Sequence, residues 1–405
     1  MATLADALRQ FGTRYLARHT LSTPEAKAWR AIVACRTRAL GGTQMACDHC
    51  QYRHWQYHSC RNRHCPQCGC RAKDAWLQGR LAEVLPVPYV HLVFTLPHSL
   101  NTLYGAHPRW VIDALFAATA QTLTEFAANP KWIGDTGGKR SAGGSRPAFS
   151  LVLHTWTQDL RRHIHVHAVM ACGALDNQGQ WQRPVQRPNF LFPVQALSIV
   201  FRGKFIAALK AARQDGQLAR DPDGEDAAWS ARQKALYRHK WVVYAKAPMG
   251  GPAQVLEYLS RYTHRTAISN ERIRAISEHD VVLSIRADDK GGKRRVRLPG
   301  EEFVRRFMLH ILPTGIKRIR HYGVLASACK RARLTEARTA LAMPAANPKA
   351  LESAGEFMRR VAGVEVLRCP CCAVGRLRAV QTLSGLARLP PPGADARTIA
   401  CRGPP

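Results

Sequence analysis

Acidic residues are scarce in this chain: 28 Asp and Glu stand against 60 Lys and Arg among 405 residues, a formal net charge of +32. Self-repulsion on that scale works against a compact state, and binding to a polyanion relieves it. Nucleic acid is the expected partner, well ahead of an anionic membrane surface. Long apolar runs are missing too. Nothing approaches the ~20 residues of a membrane span, so no membrane partner is expected. The opening MATLADALRQFGTRYLARHT has no continuous apolar stretch and reads as an amphipathic helix instead of a signal peptide. The expected location is therefore the cytoplasm. Disorder is excluded for most of the chain, since 46% hydrophobic residues can build an ordinary core. No internal repeat is present.

Cysteine, by contrast, is plentiful, with 13 residues. In a reducing compartment an odd number in short spacings points to metal. Cys47-x2-Cys50 and Cys65-x2-Cys68 form two knuckles separated by fourteen residues, a spacing suited to one tetrahedral zinc ion of structural type. Cys60, His64 and Cys70 are close enough to replace one ligand or to start a second partial site. Arg53, Arg61 and Arg63, with neighbouring His and Tyr, would offer cations and stacking rings to DNA. Near the other end Cys369 and Cys372 make a further C-x2-C pair with no obvious partner pair unless Cys401 contributes, and free thiols are the favoured reading there.

The order of elements suggests an α+β fold. Two helices fill residues 1 to about 42, the second opening at Thr23-Pro24-Glu25. Strands are expected at Tyr89–Pro97, Phe149–Thr157, His163–Cys172 and Lys240–Lys246, with helices at Trp110–Phe126 and around Leu197–Leu209. This β-α-β-β-α-β order matches the split βαβ, ferredoxin-like plan: an antiparallel sheet with helices on one face and the other face open. A glycine-rich basic loop, 134–146, and an acidic loop, 221–226, interrupt it. A helix starting after Gly250-Gly251-Pro252 and running through Val255 to about His264, a hairpin at Val281–Leu298 and a last strong helix at Glu301–Leu312 follow. The remainder reads as a loose tail. The expected domains are 1–86 (helical, zinc-binding), 87–335 (catalytic) and 336–405 (a helix and a cysteine-containing tail).

On the strand His163-Ile164-His165-Val166-His167, period-two alternation sends three imidazoles to one face and the apolar residues to the other. Two of them would grip one cation, although a solvated face is an equal reading of this segment alone. Tyr258 and Tyr262 are four apart on the expected helix, so their rings share a face. An aromatic pair of that kind usually packs on a core, yet the same helix also carries Arg261 and Arg265, which core packing does not need.

Five segments together carry a resemblance: CRNRHCPQC (Cys60–Cys68), VFTLPHSLN (Val93–Asn101), LHTWTQDLRRHIHVHAV (Leu153–Val169), EYLSRYTHRTAISN (Glu257–Asn270) and FMLHILPTGIKRIRHYG (Phe307–Gly323). The chain resembles the rolling-circle transposases of the insertion sequence ninety-one family, within the wider class of HUH (His-hydrophobic-His) single-strand endonucleases. The resemblance implies that His165-Val166-His167 is the HUH signature, that Tyr258 and Tyr262 are paired nucleophiles, and that Cys47, Cys50, Cys65 and Cys68 belong to an N-terminal zinc-binding domain. It also implies single-stranded or hairpin element ends and target DNA as substrates, with no small molecule. A free phenol is only about 0.1% ionised at pH 7, so a divalent Mg2+ or Mn2+ held by His165 and His167 plus an oxygen ligand would assist attack on phosphorus. Gln254, one turn before Tyr258, is the favoured third ligand, with Glu257 and His163 as competitors and His154 as a supporting partner. Arg261 and Arg265 would hold DNA. Two rival readings remain: a replication initiator of the same chemistry, and a non-enzymatic zinc-dependent DNA-binding regulator.

Overall fold

The computed structural model describes residues 2–81, 83–134, 145–185, 191–218, 226–246, 267–287, 292–344 and 352–385. The helix expected to carry Gln254, Glu257, Tyr258, Arg261, Tyr262 and Arg265 lies outside the described residues. So do most of the glycine-rich loop, the acidic loop apart from its last residue, Cys401 and the side chain of Cys70.

Helix Leu4–Leu16 opens with a reciprocal cap, Thr3 Oγ1 accepting from the Asp6 amide while Asp6 accepts from the Thr3 amide. Helix Thr23–Ala34 opens one residue earlier than the Thr23 cap expected: Ser22 is the cap, its amide and hydroxyl both donating to Glu25. Strands β1 (Gly42–Cys47) and β2 (Arg53–Tyr57) follow as an antiparallel pair, and helix Gly69–Leu81 comes next.

The central sheet is built from β3 (Tyr89–Thr95), β4 (Arg146–Trp156), β5 (Arg162–Leu175), the short β6 (Trp181–Gln182) and β7 (Val242–Lys246). A second sheet consists of β8 (Ile273–Ile276), β9 (Asp280–Arg286) and β10 (Lys293–Pro299). The last two strands are β11 (Ile319–Gly323) and β12 (Leu377–Leu383). In the central sheet the order is β11-β4-β5-β3-β7, every neighbouring pair antiparallel, with β6 on β5. The four strands β4-β5-β3-β7 interleave two β-α-β crossovers, which is the expected ferredoxin-like arrangement, and β11 extends one edge.

Helices Pro108–Ala128 and Val194–Gln214 cover one face of this sheet. Phe94, Phe149, Leu151, Ile164, Val166, Ala168 and Met170 point into them, alternating with residues that face the other way. One end of the opposite face is covered by two described helices. There Val152, Val169, Ala171 and Tyr89 meet helices Gly69–Leu81 and Lys330–Ala340.

A separate core joins the first two helices to the β8-β9-β10 sheet and to helix Gly300–Met308. Phe11 sits so close to Gly300 that a Cβ there would fall within its ring, so only glycine permits the approach. Helix Gly300–Met308 ends four residues short of expectation, and it is not the last: Lys330–Ala340 and Ala354–Ala362 follow. The region read as a loose tail also contains β12, which pairs along the whole of β1. Its pairing partner lies more than 300 residues away, beyond the reach of any local pattern. Among the described residues no helix is long and apolar enough to cross a membrane.

Candidate active site and cysteine centres

The other end of that face carries histidines. His165 pairs directly with His154 across β5 and β4, and His167 follows two residues on, on the same face. All three are buried, and their ligand-capable nitrogens lie within 4.8 Å of one another. His165 Nδ1 donates to the His163 carbonyl (2.9 Å), which leaves Nε2 as its lone-pair nitrogen. His167 Nδ1 and His91 Nε2 are 2.9 Å apart with nearly parallel rings. A proton on His167 Nδ1 would be accepted by His91 and would free His167 Nε2 to ligate. Trp156 stacks on His154, ring centroids 4.6 Å apart, and closes that side.

Burial, followed by the neighbouring imidazoles, lowers the pKa of His165 to about 3 and holds His167 well below its usual range. Neutral imidazole is the ligating form, so three such rings fit a divalent cation. The expected pair His165 and His167 is therefore brought together, and His154 supplies a third nitrogen. His163 is instead directed to His98, Nδ1 to Nε2 at 3.1 Å. His154 and His91 were not expected as primary members of the site. Folding the predicted β4 and β5 strands about the Gln158-Asp159-Leu160 turn would have placed His154 opposite His165.

The cysteines do not group as expected. Cys47 and Cys50 are not beside Cys65 and Cys68. Cys65 and Cys68 gather with Cys35 and Cys60, all four sulfurs within 4.8 Å of one another, with Cys68 3.5 Å from Cys35 and 3.6 Å from Cys60. The physical reason is packing: Cys35 caps the helix Thr23–Ala34, and Cys35 and Cys65 are part of the core beneath it, whereas Cys47 and Cys50 sit at the far tip of the β1–β2 hairpin. At that tip they meet Cys369 and Cys372.

Arg63 is exposed, as expected, and also braces the fold. Its guanidinium donates to the carbonyls of Ile316 (2.6 Å) and Pro313 (3.4 Å), and adjacent His64 accepts from the Leu312 amide through Nε2 (3.3 Å). Both residues brace the cysteine knuckle against the segment entering β11. Arg61 and Arg53 are exposed. Tyr322 stacks on Phe149 at 5.1 Å, a structural role.

Comparison with known proteins follows the same lines. A family model described as "Transposase zinc-binding domain" matches residues 7–96, and one described as "Putative transposase" matches residues 149–333. The chain is 38% identical over 393 residues to "Putative transposase y4qJ" of Sinorhizobium fredii, covering 95% of this chain and 96% of that protein. It is 26% identical over 363 residues to the "Transposase for insertion sequence element IS801" of Pseudomonas savastanoi pv. phaseolicola, covering 88% and 83%. Among solved structures, a conjugative relaxase TrwC in complex with mutant oriT DNA aligns over 42% of this chain and 71% of its own at 15% identity, with a TM-score of 0.25, too weak a likeness to assign anything. The near full-length match to the Sinorhizobium protein, with both domain matches in the same order, establishes that this chain belongs to the insertion sequence ninety-one family of transposases and carries that family's N-terminal zinc-binding domain.

Proposed function

We propose that this transposase cuts and rejoins single-stranded DNA through a 5′-phosphotyrosine intermediate, with Tyr258 and Tyr262 as the attacking residues. The observation that carries the reading is the convergence of the buried His154, His165 and His167 on the face of a ferredoxin-like sheet turned away from its two long helices, in a chain of this family. A divalent cation on these nitrogens would supply Lewis-acid polarisation of the scissile phosphate. Three imidazoles are a softer donor set than two imidazoles and an oxygen, which favours Mn2+ over Mg2+. Gln254 then has no necessary place among the ligands.

The chemistry left to the chain is positioning and attack. A phenolic oxygen forms a bond to phosphorus as the bond to the 3′ oxygen breaks, giving a 5′-phosphotyrosine and a free 3′-hydroxyl. The ester conserves the bond energy, so a second 3′-hydroxyl can displace the tyrosine and no nucleotide cofactor is needed. Two tyrosines provide for two such events. Zinc in the N-terminal domain is structural, held by Cys35, Cys60, Cys65 and Cys68, a closed set of four thiolates.

Phosphate is held without regard to sequence by the basic segment after the tyrosines: between Tyr258 and Leu334 lie 18 Lys and Arg against 7 Asp and Glu. On β10 Lys293, Arg294, Arg295 and Arg297 are all exposed. Arg61, Arg261 and Arg265 are further DNA contacts in this reading. The test is incubation with Mn2+ and single-stranded element ends, followed by a denaturing gel. A metal-dependent covalent adduct to the 5′ phosphate of the fragment downstream of the break is expected, and it should disappear when Tyr258→Phe and Tyr262→Phe are combined. An adduct that survives the double substitution rejects the nucleophiles; none with the natural protein rejects the reaction.

A further inference from the structure

We propose that Cys47, Cys50, Cys369 and Cys372 bind a second zinc ion, and that this ion clasps residues 367–383 onto the N-terminal domain to complete a zinc ribbon made from two distant pieces of chain. The sulfurs of Cys47 and Cys372 are 3.7 Å apart, as are those of Cys50 and Cys369. Four thiolates at 2.3 Å from a central zinc lie about 3.8 Å from one another in a regular tetrahedron. A disulfide, at about 2.05 Å, is excluded by the same distances.

The backbone is shaped for the purpose. In the first knuckle the amides of His49 and Cys50 donate to Cys47 Sγ, and in the second the amide of Gly375 donates to Cys372 Sγ. Such bonds favour the thiolate, the form that binds metal. Each knuckle leads directly into a strand, β2 from the first and β12 from the second, and β1 lies between them in one antiparallel sheet. Asp48 ties the two knuckles together, accepting from the Arg376 amide (2.7 Å) and pairing with the Arg378 guanidinium (3.2 Å). Gly375 packs against Cys47 Sγ where any Cβ would collide with the sulfur. Cys371, between the two ligands of the second knuckle, is exposed and faces away.

This centre is distinct from the one formed by Cys35, Cys60, Cys65 and Cys68. Half of its ligands lie more than 270 residues beyond the end of the zinc-binding domain match at residue 96. A strand that among the described residues pairs with β1 alone, and has six of its seven residues not buried, needs such an anchor.

The experiment is elemental analysis of the purified full-length protein, together with hydrogen exchange. About two zinc ions per chain are expected, falling to about one in the Cys369→Ser, Cys372→Ser double variant. In the natural protein, stepwise chelation should speed exchange of the Leu377–Leu383 amides at least about tenfold as the first ion leaves, which tests the clasp without relying on how a variant folds. Cobalt substituted for zinc should show the intense sulfur-to-metal absorption of a tetrathiolate site with an amplitude for two centres. One zinc per chain in the natural protein, or zinc content unchanged by the two serines, overturns the site. Exchange in Leu377–Leu383 that ignores removal of both ions overturns the clasp.

Discussion

His154 and His165 stand directly opposite each other on neighbouring strands, their ring centroids 5.3 Å apart and their planes at 83°. Antiparallel partners lie about 4.5–5.5 Å apart at Cα, so the two rings are brought together by strand pairing alone. His167 completes the group, its ring 4.3 Å from that of His154. The proposed metal ligands therefore all lie on one hairpin of the sheet, turned at Thr157–Arg161.

The third nitrogen can be tested against the third oxygen. His154→Ala should lower the yield of Mn2+-dependent covalent adduct by about 100-fold or more, a loss typical of a removed ligand or its immediate support. Gln254→Ala should cost clearly less. Single-turnover cleavage of a labelled oligonucleotide at several Mn2+ concentrations measures both. A larger loss with Gln254→Ala returns the third ligand to the tyrosine helix.

In the proposed site His91 would act on a bound metal through His167. Replacing it with Phe keeps a buried aromatic ring but removes the acceptor that fixes the His167 proton on Nδ1. Metal affinity should fall about 10–100-fold, and excess Mn2+ should restore cleavage. Calorimetric titration of Mn2+ into the natural protein and the His91→Phe variant decides the point. Equal affinities would reduce His91 to packing.

Arginines that look alike in the sequence should behave differently. Arg63 is committed to the carbonyls of Pro313 and Ile316, so Arg63→Ala should lower thermal stability by roughly 1–3 kcal/mol and leave the salt dependence of DNA binding unchanged. Arg295→Ala, on the exposed strand β10, should do the reverse: stability unaltered, and the slope of log affinity against log salt shallower by about one unit. Melting curves and salt titrations of DNA binding by both variants check the contrast.

Acid should destabilise the protein through buried neutral histidines. Burial lowers His310 to about 4; its Nε2 donates to the Leu160 carbonyl (3.0 Å) and its Nδ1 accepts from Thr155 Oγ1 (3.1 Å). His321 is lowered to about 4 by burial first and by Arg80 and Lys330 second. The unfolded chain binds protons at these positions below pH 6.5, whereas the folded one declines them until about pH 4. Stability is thus fully present above pH 6.5 and is lost as pH falls towards 4, at about 3 kcal/mol per pH unit for the pair. Urea midpoints should be level from pH 7.5 to 6.5 and drop by pH 5.5; a midpoint that rises on acidification contradicts the assignment.

Much of the fold was legible because its signals are local. Alternation along His163–His167 placed three imidazoles on one face, and the β-α-β-β-α-β order led to the sheet that the chain adopts. What could not be read depended on partners far apart in the chain. Spacing identifies knuckles but cannot say which two share an ion, and Cys47 with Cys50 is as well spaced for Cys65 with Cys68 as for any other pair. Cys35 stands alone at a helix end, with no second cysteine near it in sequence to mark it as a ligand. The strand Leu377–Leu383 follows a cysteine pair and precedes a proline-rich stretch, and only its register against Gly42–Cys47 makes it a strand. His154 is the intermediate case, a single histidine whose role appears once two adjacent strands are laid side by side.

The ribbon also sets a timetable for synthesis. Cys50 leaves the ribosome 319 residues ahead of Cys369, and at roughly 5–20 residues per second that interval is on the order of 15–65 s. Throughout it the β1–β2 hairpin carries two exposed thiols and an unpaired strand edge. A nascent chain whose translation stops before residue 377 cannot close that edge with β12.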